Sequence, residues 1–100
     1  MNSTAKNSTV LERVVNSLVA EAVRNTDGIA LCSEKRRNVS ISFLPNEKVD
    51  INLCVSIDMG RTVPATVALL QENVKKQIEG ATKFGVHCVN VEVAKVNVAQ

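Results

Sequence analysis

Apolar residues recur along this chain with two different periods. Leu11, Val14, Val15, Leu18, Val19, Ala22 and Val23 are three or four apart, which places them on one stripe of a helix. Thr9 and Glu12 have the spacing of a capping box ahead of that stripe. Thr26-Asp27-Gly28 ends it, because Gly28 can take the left-handed conformation that closes a helix. Residues 29–37 read as a connection that turns polar. The period then changes to two. Val39, Ile41 and Phe43 alternate with Ser40 and Ser42. After the turn Leu44-Pro45-Asn46-Glu47, Val49, Ile51, Leu53, Val55 and Ile57 alternate with Asp50, Asn52, Cys54, Ser56 and Asp58. These two runs predict an antiparallel hairpin.

Gly60 breaks the strand pattern, Thr62 is placed to cap a second helix, and Pro64 falls in its first turn, where no amide hydrogen is needed. Its buried stripe is predicted as Val63, Val67, Leu70, Val74, Ile78 and Ala81, with Lys75, Lys76 and Glu79 facing water. A third strand spans about 84–98. Val89, Val91 and Val93 are in phase with one another, but Val86 and Val96 are not, so a β-bulge is expected at His87-Cys88 and another near Lys95. The order α-β-β-α-β gives an α+β fold, a two-layer sandwich with a three-stranded sheet and two helices on one face. The whole of 1–100 reads as a single domain, with the Asn/Ser/Thr-rich 1–7 disordered. The pattern leaves open which hairpin strand the third strand joins.

Composition narrows the function classes. The core must be rich in Val, since there is no Trp or Tyr and the aromatics are Phe43 and Phe84. The net charge of +2 does not by itself imply nucleic acid. Lys35, Arg36 and Arg37 form the one basic cluster, read first as a solvated loop and alternatively as a phosphate-binding patch. Cys32, Cys54 and Cys88 are odd in number and widely spaced, which argues against a disulfide framework and for a reducing, cytoplasmic setting. Residues 1–7 lack the apolar segment of a signal peptide, and no apolar run nears the ~20 residues of a membrane helix. Membrane association is therefore expected only through a partner.

Candidate chemistry is sparse. His87 and Cys88 are adjacent, so in a regular strand they point to opposite faces and make no nucleophile–base pair. Asp50 and Asp58 share a strand face but stand about 26 Å apart, too far for paired acid and base. Cys54, Cys88 and His87 could meet if the second and third strands were neighbours, yet no two ligands have the short spacing of a structural zinc site. No catalytic residue, metal or cofactor is predicted. The expected open sheet face, with Ser40, Ser42, Asp50, Asn52, Cys54, Ser56, Asn90 and Glu92, has no aromatic ring on which a base could stack. A small nucleic-acid-binding regulator would have to rely on Lys35, Arg36 and Arg37.

Several segments together resemble the alkaline shock protein family of bacterial, mainly Gram-positive, cell-envelope stress proteins. The strand from Val49 to Ile57 is similar to that family's alternating second strand, and Gly60-Arg61-Thr62-Val63-Pro64 to its G-x-x-I-P turn. Leu70-Gln71-Glu72, Val74-Lys75, Ile78 and Thr82 fall where the family has V-Q-E, V-K, V and T. Val86, Val89-Asn90-Val91, Val93 and Val96 resemble its closing V-x-x-V-N-V-x-V-x-x-V, and Asp27-Gly28-Ile29-Ala30 its G-V-A segment. Lys83 stands where the family usually has Gly, and the stretch from Cys32 to Arg37 is short and lacks glycine. The resemblance implies a non-enzymatic, cytoplasmic stress-response scaffold. Its partners would be proteins, including a membrane-anchored envelope protein, and it implies that some members self-assemble. Independently, the long third strand contains no Pro and has Glu92 and Lys95 as its charges, so its edge is open to strand addition. Val96, Val98 and Glu92 are the candidate interface residues, and a homo-oligomer is one expected product.

Overall fold

The computed structural model describes residues 2–32 and 38–97, with the backbone alone for 2–9. The first helix, α1, runs Asn2–Arg24. It starts seven residues before Thr9, so Thr9 lies inside it and does not cap it. Extending an existing helix adds a hydrogen bond for each residue fixed, without a new nucleation cost. Val15, Val19, Ala22 and Val23 are buried, whereas Leu11 and Val14 are 39% and 45% exposed. The apolar stripe is continuous, but a helix of 23 residues is about 34 Å long and the core lies under its second half only. Gly28 has φ +80°, and a Cβ there would stand 2.6 Å from the Arg61 side chain. Gly is thus required by conformation and by space.

Four strands follow the turn: β1 (Ile29–Leu31), β2 (Val39–Leu44), β3 (Lys48–Asp58) and, after the helix α2 (Val63–Ala81), β4 (Gly85–Asn97). The predicted three-stranded sheet is thus four-stranded, because Ile29–Leu31 is a strand and not part of a connection. β1 and β2 are antiparallel to β3, and β4 is parallel to it. Since β4 covers β3 along its whole length, β1 and β2 lie end to end on the other edge of β3. They act as one interrupted edge strand, which is why the period-two pattern alone reports three. The β3–α2–β4 crossover settles the neighbour of the last strand as β3.

Both expected bulges are present. The β3–β4 register shifts between Val49 and Asp50 and again between Val55 and Ser56, leaving His87 and Ala94 as the extra residues. Val49, Ile51, Leu53, Val55 and Ile57 point into one core with Val15, Val19, Ala22 and Val23 of α1 and Leu70, Val74 and Ile78 of α2. Both helices therefore cover the same sheet face. Burying each such side chain contributes about 1.5–3 kcal/mol. Phe43 and Phe84 pack against each other with ring centroids 5.4 Å apart. The buried row of α2 is Thr66, Leu70, Val74 and Ile78, so its stripe is rotated from the expected one and leaves Val63 and Ala81 exposed. Thr62 does occupy the N-cap position, but its side chain makes no capping hydrogen bond.

Candidate functional site

β4 carries the two features with chemical potential, one on its outer edge and one at its first bulge. On the outer edge, α2 satisfies the beginning of the strand. The Val86 amide donates to Glu79 Oε2 at 2.9 Å, and Val89 O accepts from Gln71 Nε2 at 2.8 Å. Those backbone groups therefore point away from β3. Strand geometry alternates the direction of successive residues, so Val91 and Val93 also point their amide and carbonyl groups outwards. At the far end, Asn97 O accepts from the Met59 amide at 2.7 Å, so the backbone of Asn97 faces β3 and that of Val96 faces out. Among the described residues, β3 is the only strand paired with β4.

Of the candidate interface residues, Val96 sits opposite Ile57 on the helix-bearing face and is 46% exposed. Glu92 is opposite Cys54 on the open face. The two are on one strand but on different faces. Val98 lies outside the described residues, as do Lys35, Arg36 and Arg37. On the open face, Asn90 Nδ2 donates to Asn52 Oδ1 at 3.0 Å, and Asn97 Nδ2 donates to Ser56 Oγ at 3.3 Å. These bonds tie β4 to β3 through side chains as well as backbone. The two aromatic rings pack on each other, which leaves base stacking without a platform.

The first bulge changes the expectation for His87 and Cys88. The extra residue interrupts the alternation, and donor atoms of Asp50, His87 and Cys88 all come within 4.8 Å of one another. The ionised Asp50 carboxylate can only accept, so the His87 Nδ1–H donates to Asp50 Oδ1, at 2.8 Å. The Cys88 thiol instead reaches Asn90 Oδ1 at 3.9 Å. Asp50 is the residue that sequence reasoning left out of this group. The bulge was legible from the out-of-phase Val86, but its consequence for side-chain direction needs the register Asp50↔Cys88.

Cys54, weighed beside His87 and Cys88 in the sequence and set aside as a ligand, goes elsewhere. It is buried, and its thiol donates to Cys32 Sγ at 2.9 Å. The Cys54 amide donates to Asn38 O and its carbonyl accepts from the Cys32 amide, while Asn38 Nδ2 donates to Cys32 O. Cys32 and Asn38 thus both bond to the edge of β3 at Cys54.

A profile of the alkaline shock protein family, described as having a cell envelope-related function, matches residues 32–98. No curated protein matches the chain, and no solved structure does.

Proposed function

This chain belongs to the alkaline shock protein family, and from that premise we propose that it is a non-enzymatic scaffold acting through protein–protein contacts at the cytoplasmic side of the cell envelope. The family function is cell envelope-related. No helix among the described residues is long and apolar enough to cross a membrane. Attachment to the envelope would then come through a protein partner that is itself held in the membrane.

The observation that carries this reading is the outer edge of β4. Its first half is occupied by Gln71 and Glu79, and Val91, Val93 and Val96 turn their backbone groups outwards beyond that cover. Such an edge pairs with an added strand through main-chain hydrogen bonds, with alternate side chains giving selectivity. The added strand belongs to a second copy or to the envelope partner, and a second copy gives an oligomer.

Val96→Pro tests the edge. The substitution removes an outward-facing donor at a position outside the buried core, so the domain keeps its fold. Sizing with light scattering is expected to show an oligomer for the parent and a monomer for the variant, with unchanged circular dichroism. Identical oligomers for both proteins would show that this edge is not the interface.

A further inference from the structure

We propose that Asp50, His87 and Cys88 form a surface site for a borderline divalent cation of the zinc type. The proposal goes beyond the scaffold reading and does not depend on it. Three different donors converge: a carboxylate from β3, and an imidazole and a thiol from the β4 bulge. Their donor atoms lie within 4.8 Å of one another. Zinc bonds of about 2.0–2.3 Å to O, N and S in tetrahedral geometry put ligand atoms roughly 3.5 Å apart. Side-chain rotation closes that difference, because the His87 side chain is 63% exposed and is not held by packing.

The donor set selects the kind of ion. Thiolate and imidazole favour zinc, cobalt, nickel or copper over magnesium and calcium, which require six or more oxygens. The cation takes the place of the proton between His87 Nδ1 and Asp50 Oδ1 and adds Cys88 Sγ as its third ligand. Binding as thiolate releases the Cys88 proton to solvent, and the proton displaced from His87 Nδ1 is exchanged through solvent for one on Nε2, so that the imidazole binds through Nδ1 in its neutral form. Three protein ligands leave one position open. His87 and Cys88 also line the groove between α2 and β4, beside Glu72 and Lys75, so water reaches that position.

The bulge is what makes the site. In a regular strand His87 and Cys88 would face opposite ways. The inserted residue keeps Val86 in register with Val49 while Cys88 aligns with Asp50. The site is peripheral to the core, so the ion is not needed for folding.

The test uses the full chain, reduced and stripped of metal, titrated with zinc alone by calorimetry and with cobalt by absorption. One ion per chain is expected, with proton release and a thiolate-to-cobalt absorption band. Asp50→Asn, His87→Ala and Cys88→Ser should each weaken zinc binding at least tenfold, and Cys88→Ser should abolish the band. Cys54→Ser should leave the band in place, since Cys54 is paired with Cys32. Circular dichroism of each variant establishes that it is folded, and a chelator should remove the ion without lowering the folded fraction. Absence of zinc binding by the parent would overturn the proposal. So would a band that survives Cys88→Ser and disappears in Cys54→Ser, which would assign the ion to the Cys32–Cys54 pair.

Discussion

Glu47 sits in the hairpin turn with φ 58°, next to Asn46 at φ 65°. Asn tolerates this left-handed conformation, but for Glu it costs about 1–2 kcal/mol. What Glu47 offers in return is an exposed ion pair with Lys83 at 3.3 Å, worth little in water. Its carbonyl, which accepts from the Gly85 amide, does not depend on the side chain. Glu47→Gly removes the strain and adds about 0.5–1 kcal/mol of unfolded-state freedom. The expected net gain is about 0.5–1 kcal/mol, read as a rise of a few degrees in melting temperature. Thr26 has the opposite balance. It is buried, donates to Ala22 O and accepts from Asn73 Nδ2, both at 2.8 Å, and so ties the end of α1 to α2. Thr26→Val keeps the shape but leaves Asn73 without its acceptor, an expected loss of about 1–3 kcal/mol in denaturant unfolding. Asn73→Leu in the same background should recover part of it.

At the scale of elements, β4 depends on α2 for more than core packing. Gln71 and Glu79 occupy the backbone groups of Val89 and Val86 that would otherwise extend the outward-facing edge. Replacing both by Ala should lengthen the pairing edge towards the start of the strand. Light scattering is expected to show greater self-association for Gln71→Ala with Glu79→Ala than for the parent at equal concentration. An unchanged size distribution would mean that the start of β4 is closed by something other than these two side chains. The bulges belong to this scale too. Out-of-phase Val86 and Val96 announce them in the sequence, because a buried face tolerates no slip of one residue. The rotation of the α2 stripe was not legible. Thr66 is buried and Val63 exposed because the position of α2 over the sheet, not hydropathy alone, decides which row faces inwards.

Across the whole molecule, one core joins both helices to β3, and the cysteines report on it in different ways. Cys32 and Cys54 are buried where the interrupted edge strand meets β3, whereas Cys88 is only partly buried at the β4 bulge. An alkylating reagent should therefore label Cys88 in the native protein, while Cys32 and Cys54 react only as fast as that region opens. Mass spectrometry of a labelling time course in the absence of metal reads this directly. Equal rates for all three thiols would contradict the burial pattern. The sequence by itself determined the two helices, the hairpin, the positions of both bulges and the apolar face of β3, because hydrophobic periodicity is local and each element must present one face to a core. Only the tertiary structure decided that 29–31 completes an edge strand, that β4 runs parallel to β3, and that Asp50 meets His87 and Cys88. Those outcomes depend on register between segments far apart in the chain, and a side chain's own neighbours in sequence carry no information about register.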